Sequence, residues 1–204
     1  MKNPVLYIVI SIFLVCSGFT AGAQDVNLRL KEANQAYAGG RLQDSRMALQ
    51  QALAEVDQVL GREILAMLPQ NMETLAFDPA EDQVMANAAG ITGLHINRAY
   101  RNEEQWVTVE VIDDSPLLAV VNRLLSLPAF LGTANPNQKR IKIHGYKALL
   151  EKNVDDSTGV VDYNLQVPFN RSLFTFHSNG FDDEALVLKM AETVPLEGIV
   201  KMTE

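Results

Sequence analysis

Cysteine is almost absent from this chain of 204 residues, because Cys16 is the only one. We expect Cys16 to be removed with an N-terminal signal segment, residues 1–23. The mature chain would then have no disulfide bond and no thiol nucleophile. Its stability would rest on a hydrophobic core, which residues 24–204 are numerous enough to form.

Positive charge is also scarce. The sequence has 17 Lys and Arg residues against 25 Asp and Glu residues, which gives a formal net charge of −8. No four basic residues occur in a row, and the densest cluster, KRIK at residues 139–142, lies in a strand pattern. Because nucleic acids and anionic lipid surfaces bind basic patches, the sequence argues against both as partners.

Several motifs that enzymes use are missing after residue 23. The sequence has no G-x-S-x-G or S-x-x-K for a serine nucleophile, no phosphate-binding loop and no G-x-G-x-x-G. Pairs of aspartates begin at Asp113, Asp155 and Asp182, in patterns of turns and helix starts where aspartate is common. We therefore predict a protein without a catalytic residue, a bound metal or a cofactor.

The first residues have the three parts of a secretory signal peptide. Lys2 is followed by an apolar run at residues 5–15 and by the A-x-A sequence of residues 21–23. The run is shorter than the roughly 20 residues of a membrane span, so we expect cleavage after Ala23 and no retained anchor. A lipoprotein signal at Cys16 is the alternative, but Val15 is larger than the residue expected before such a cysteine. The sequence thus predicts a protein of the periplasm or the extracellular space.

Residues 24–68 predict a hairpin of two amphipathic helices. The first ends at Gly39-Gly40, and the second runs from about Leu42 to about Leu65. The second helix carries one apolar stripe, which consists of Leu42, Leu49, Leu53, Val56, Leu60 and Ile64. Small residues on the same helix, among them Ser45, Ala48 and Ala52, would let the first helix approach closely.

This hairpin resembles a single tetratricopeptide repeat. The matching residues are Ala36, Tyr37, Gly40, Leu42, Ser45, Leu49, Ala52 and Leu53. The match departs from the pattern in a short turn, in a serine at the small-residue position and in the lack of a proline near Asp57. Such repeats stack in arrays that cover their apolar faces, yet the sequence has no second copy. We expect the rest of this chain to cover the stripe, with a second copy of the protein or a binding partner as the alternatives.

The remainder of the sequence predicts a linker and then an α+β domain. Residues 69–92 have no sustained period and contain one short extended piece at residues 74–77. Residues 93–204 predict an antiparallel sheet, with strand patterns at 94–101, 106–113, 138–150, 161–167 and 173–177. Strict alternation indicates that one face of this sheet is wet.

Helices are predicted to pack on one face of that sheet. One would begin at Ser115, acting as its N-cap, and another would span residues 182–192. The segment PLEGIVKM at residues 195–202 is expected to add a last short strand. This order is similar in outline to exported bacterial proteins with PsbP-like domains, and the resemblance implies a curved antiparallel sheet backed by helices and no particular activity.

Two features suggest binding or chemistry. His95, His144 and His177 each lie in a strand pattern opposite apolar neighbours, so all three are expected on the wet face. Zinc accepts histidines from different strands, and a metal-dependent or hydrolytic envelope enzyme is therefore the alternative function. We expect instead three solvated histidines.

The second feature is an apolar segment that contains Leu127, Phe130 and Leu131. Loops are normally polar, so this one is either a lid on the core or a contact surface for an apolar ligand or partner. Together these patterns predict an exported, non-enzymatic binding module. Its partner would be another envelope protein or an apolar ligand.

Overall fold

The computed structural model describes residues 21–86, 93–127 and 135–204. Most of the predicted signal peptide lies outside these ranges, as do Phe130 and Leu131. The chain divides into two compact units, Met1–Val59 and Leu60–Glu204. The helix Leu42–Met67 contributes residues to both units.

The first unit contains the first helix and most of the second helix of the predicted hairpin. Helix α1 spans Ala21–Ala38, and helix α2 spans Leu42–Met67, two residues beyond its predicted end. Gly40 makes the turn possible because its φ of 74° is one that residues with a Cβ rarely adopt. The Arg41 N–H donates to the carbonyl of Ala36, and the Gly40 N–H donates to that of Tyr37. These bonds satisfy carbonyls that the end of α1 would leave unpaired.

Small residues form the seam between the two helices. The buried residues of this seam are Ala33, Ala36, Ser45, Ala48 and Ala52. The Ser45 hydroxyl donates to the carbonyl of Ala33 over 2.9 Å, and Arg29 forms ion pairs with Glu32 and Glu55. The distance between packed helices depends on the size of the side chains at their contact, so this seam permits a close approach.

The second unit is built on one antiparallel sheet. Its strands in the described residues are β1 (Asn71–Met72), β2 (Leu75–Phe77), β3 (Gln83–Met85), β4 (His95–Arg101), β5 (Trp106–Asp113), β6 (Gln138–Ile143), β7 (Tyr146–Val154), β8 (Val161–Phe169) and β9 (Ser172–Asn179). The strand order is β1-β2-β4-β5-β9-β8-β7-β6, and β3 also pairs with β4. In the described part of this unit there are three short α-helices, α3 (Leu118–Ser126), α4 (Glu184–Glu192) and α5 (Leu196–Met202), and one 3-10 helix at Pro79–Glu81. The α+β class predicted from the sequence is confirmed.

The main core lies on one face of the sheet. Its largest fully buried side chains include Tyr100, Tyr163, Phe174 and Phe176. The end of α2, with α4 and α5, supplies further members of this core, among them Ile64, Leu68, Val187, Met190, Leu196 and Ile199. Helix α3 packs on the opposite face, where Val121 and Leu125 meet Leu149 and Leu173. Helices therefore lie on both faces of the sheet, whereas the sequence predicted them on one face.

Some sequence predictions were wrong in detail. The tail forms helix α5 and not a strand, because Leu196, Ile199 and Val200 follow helical spacing and bury together. Helix α3 begins at Leu118 rather than at Ser115, because a turn precedes it in which the Ser115 hydroxyl accepts from the N–H of Leu117. The predicted linker contains β1, β2 and β3, and β2 corresponds to the short extended piece expected there.

Candidate functional site

The hairpin presents an exposed apolar surface, which we call the hairpin face. It consists of Leu30, Tyr37, Leu42, Leu49, Leu53 and Val56. Their exposed fractions run from 46% for Val56 to 68% for Tyr37. The sequence led us to expect the rest of the chain to cover the apolar stripe of α2. Leu60 and Ile64 pack in the core of the second unit as expected, whereas the other four members of the stripe, Leu42, Leu49, Leu53 and Val56, are exposed. A cluster of large apolar side chains that are exposed together commonly marks an interaction site.

A groove of about 420 Å³ runs along the hairpin face. It is lined by Tyr37, Leu42, Ser45, Arg46, Leu49, Gln50 and Leu53. Arg46 is the charged member of this lining, and its side chain is exposed. The groove therefore combines large apolar contacts with a positive charge at its edge.

The other side of the hairpin seam is polar. A second groove there is lined by Glu32, Gln35, Ala36, Arg41, Asp44, Met47, Ala48 and Gln51. An ion pair between Arg41 and Asp44 lies in it, with a distance of 3.2 Å. The contrast between the two sides makes the hairpin face the more specific candidate for contact with an apolar surface.

The helical period explains why the large residues stay outside the seam. At 100° per residue, the stripe from Leu42 to Val56 occupies about 60° of α2, and the small residues occupy a separate sector about 80° away. Helix α1 packs on the small residues, which leaves the large ones beside the seam. The sequence carries this signal as two adjacent stripes, one of small residues and one of large residues.

The polar face of the sheet is a second candidate surface. Near one end of β5, β8 and β9 it carries a set that we call the Trp106 cluster, which consists of Trp106, Thr108, Asp162, Asn164, His177 and Asn179. Strand pairing places Trp106 opposite Asn179, and Asn179 opposite Asp162. His177 lies between Thr108 and Asn164 in the next row.

Short contacts connect the members of this cluster. The Asn179 amide donates to Oδ1 of Asp162 over 2.7 Å, and Nε2 of His177 lies 3.7 Å from the same oxygen. The rings of Trp106 and His177 meet edge to face, with centroids 4.7 Å apart. Oδ1 of Asn164 is buried and accepts no hydrogen bond from the residues that the structure describes.

The structure does not bring the three histidines together. His95 and His177 share the polar face, but the register separates them by four residues along the strands and by two strands, which is about 16 Å. His144 lies in the turn between β6 and β7, with a φ of 48°, and not in a strand as predicted. Its Nε2 is 3.0 Å from the carbonyl of Glu192. Within residues 21–86, 93–127 and 135–204, no three His, Cys, Asp or Glu side chains are grouped to hold a metal ion.

Of the three predicted contact residues in the apolar segment, the structure describes Leu127 alone. Its side chain is half-buried, and its carbonyl accepts a hydrogen bond of 2.5 Å from the Arg140 guanidinium. Phe130 and Leu131 lie outside the described residues, so their contact with a ligand stays a prediction.

No family model matches this chain, and no curated protein shows significant sequence similarity to it. Among the residues that the structure describes, none of the helices has both the length and the apolar composition that a membrane span needs.

Proposed function

We propose that this protein is an exported, non-enzymatic interaction module that binds an amphipathic helix of another envelope protein. The observation that carries this proposal is the exposure of six large apolar side chains on the hairpin face. Each of these half-exposed side chains that a partner buries completely contributes about 1 kcal/mol, roughly half the value for a fully exposed one. Association itself costs several kcal/mol, so we expect a moderate affinity, with a Kd of about 1 μM.

The spacing of the hairpin face favours a helical partner. Leu42, Leu49 and Val56 recur every seven residues on α2, as do Leu30 and Tyr37 on α1. A seven-residue apolar repeat presents a straight seam to another helix. Arg46 at the edge of the groove would pair with a carboxylate of that helix, which gives the contact a direction.

The expected export of the chain restricts the partner to proteins beyond the inner membrane. Export is supported by three features of the first residues, namely the basic start, the apolar run and the A-x-A sequence. Expression of the full chain in a bacterium with an envelope tests it. We expect a processed product that begins at Gln24, measured by intact mass and by fractionation. A cytoplasmic product that retains residues 1–23 would contradict export.

Paired variants test the binding surface. The substitutions Leu49→Glu and Leu53→Glu place two charges on the hairpin face, whereas Met47→Glu and Gln51→Glu place the same charges on the other side. We expect the first pair to abolish retention of the partner by the immobilised chain, and the second pair to preserve it. A synthetic peptide with the sequence of the partner's helix should bind the wild-type chain and the second pair of variants in a titration, and not the first pair.

The same variants distinguish the partner protein from a second copy of this chain. Sedimentation of the wild-type chain should show a monomer at micromolar concentration. A wild-type dimer that the Leu49→Glu, Leu53→Glu variant dissociates would instead assign the hairpin face to self-association and contradict the proposal.

A further inference from the structure

The only tryptophan of the chain lies on the polar face of the sheet and not in the core. This residue, Trp106, is half-buried there. The core on the other face is filled by Phe174, Phe176, Tyr163 and other large side chains. Tryptophan on a polar surface often binds a ligand, because it offers a large rigid apolar ring and one N–H donor.

Apart from Arg101, which lies opposite Trp106 in the register, the groups around Trp106 are hydrogen-bonding groups, most of them neutral. Thr108, Asn164 and Asn179 offer a hydroxyl and two amides, and His177 and Asp162 remain partly open, with exposed fractions of 39% and 33%. Amides and hydroxyls both donate and accept, which matches the hydroxyl groups of a sugar. Apolar C–H groups on one side of a sugar ring pack well against an aromatic ring.

The polar face carries charges of both signs. Strand pairing places on it the carboxylates of Asp162, Glu110 and Glu151 and the basic side chains of Arg101, Arg140, Lys142 and Lys147. Arg101 lies directly opposite Trp106 and forms an ion pair with Glu81. Because the two signs nearly balance, the face has no strong surplus of positive charge for a phosphate or a nucleic acid, and a neutral ligand with many hydroxyl groups is compatible with it.

An unsatisfied polar atom supports a ligand at the same place. Oδ1 of Asn164 is buried in the cluster without a hydrogen-bond donor among the described residues. A buried acceptor without a partner costs free energy, so such atoms occur where a ligand or water completes the bond. Asn164 lies directly opposite His177 in the register and therefore at the centre of the cluster.

We propose that the Trp106 cluster is a binding site for a neutral saccharide chain. One sugar ring packs on the Trp106 ring beside His177, and its hydroxyl groups bond to Asn164, Asp162 and Asn179. Helix α3 lies on the same face of the sheet but farther along the strands, against Leu149 and Leu173. The site is distinct from the hairpin face and does not depend on the partner protein proposed above.

The single tryptophan provides a direct measurement. The chain is titrated with the β-1,4 hexamers of glucose and of N-acetylglucosamine and with the α-1,4 hexamer of glucose, up to about 10 mM. We expect at least one of them to change the Trp106 emission in a saturable way, with the same Kd by calorimetry. Absence of binding of all three by both methods would overturn the proposal.

Matched variants test whether the cluster forms the site. Asn164→Ala should weaken the affinity at least about tenfold, and Asn122→Ala, on the exposed side of α3, should leave it unchanged. Circular dichroism shows whether Asn164→Ala folds. If it does not, Asp162→Asn, which keeps the shape of the side chain, replaces it as the cluster variant, and it too should weaken binding. Equal affinity of the wild-type chain and the folded cluster variant would place the sugar elsewhere and contradict the assignment.

Discussion

Arg98 lies on the core side of β4, at a position where strand alternation predicts an apolar side chain. Its neighbours on that side are Ile96 and Tyr100, and Arg98 is itself only 4% exposed. The guanidinium forms a two-point contact with Asp82, with distances of 2.8 and 2.5 Å, and lies over the Phe77 ring at 3.9 Å. This planar pairing joins the segment before β3 to the sheet and satisfies a charge that burial would otherwise penalise.

Removal of the carboxylate partner should therefore be costly. We expect Asp82→Ala to lower the free energy of unfolding by about 3 kcal/mol, because Arg98 would remain buried and unpaired. The matched control is Glu73→Ala, which breaks the exposed Lys189–Glu73 pair and should change stability by less than about 1 kcal/mol. Urea denaturation measures both, and equal effects would show that the buried pair has no special role.

Tyr100 gives the fold a dependence on alkaline pH. Burial raises the pKa of Tyr100 to about 12, although the nearby Arg98 guanidinium partly opposes this shift. Between pH 10 and pH 12 the phenol ionises in the unfolded chain before it ionises in the folded one. The stability that the raised pKa of Tyr100 contributes is thus fully present below the unfolded pKa of about 10, and it is lost as the pH rises toward 12.

Unfolding experiments at two pH values check this effect. Between about pH 9 and about pH 11, we expect the free energy of unfolding to fall by about 1 kcal/mol more in the wild-type chain than in the Tyr100→Phe variant. The variant also loses the bond from the hydroxyl to the Pro69 carbonyl, so its stability at the lower pH should fall by about 1 kcal/mol. Parallel pH curves for the two proteins would mean that the phenol does not titrate differently in the two states.

At the scale of elements, two helical glycines differ in what surrounds them. Gly61 in α2 faces Val84 of β3, and an added Cβ would overlap with a valine Cγ atom. Gly198 in α5 faces the terminal methyl group of Met67, which can move. The short β-branched valine has no comparable freedom.

Alanine substitutions should therefore have opposite signs. Gly198→Ala should stabilise the chain by about 0.5–1 kcal/mol through its helix propensity. We expect Gly61→Ala to destabilise it by about 1–3 kcal/mol, because the overlap outweighs that gain. In thermal or urea unfolding, the added substitution Val84→Ala should recover part of the loss. Stabilisation by Gly61→Ala alone would contradict close packing of α2 on β3.

The periodicity of the sequence was sufficient for most elements. Alternation in residues 161–167 and helical spacing around Gly39-Gly40 predicted β8 and the hairpin with nearly correct ends. The tail was mistaken for a strand because seven residues contain too few turns for helical spacing to be distinct. His144 was placed in a strand because its left-handed φ depends on the turn with Gly145, which alternation does not reveal.

The candidate surfaces were harder to predict than the elements. The apolar stripe of α2 was visible in the sequence. The exposure of its first four members follows from the packing of α1 on small residues, and the sequence does not show that these small residues, and not the large ones, form the contact between the helices. The Trp106 cluster depends on the pairing of β5 with β9, which lie far apart in the sequence, so the sequence gives no register for that pair. The two-residue turn between β8 and β9 constrains the pairing of those two strands alone. The apolar segment with Phe130 and Leu131 stays a prediction of contact.

For the whole molecule, our proposals assign different tasks to the two units. The first unit offers the hairpin face, and the second unit has a core that includes the end of α2, together with a polar sheet face of its own. The acidic composition keeps nucleic acid and anionic surfaces out of both proposals. An exported protein of this kind would connect a protein partner with a saccharide.

Site-specific photocrosslinking in living cells tests the binding of a partner helix most directly. A photoreactive residue is placed at position 49 on the hairpin face or at position 51 on the other side. We predict a crosslink from position 49, and not from position 51, to a helical segment of one other exported protein, and its loss in Leu53→Glu. A crosslink from position 49 to residues 60–204 of the same chain, to a second copy, or to nothing at all would contradict the account.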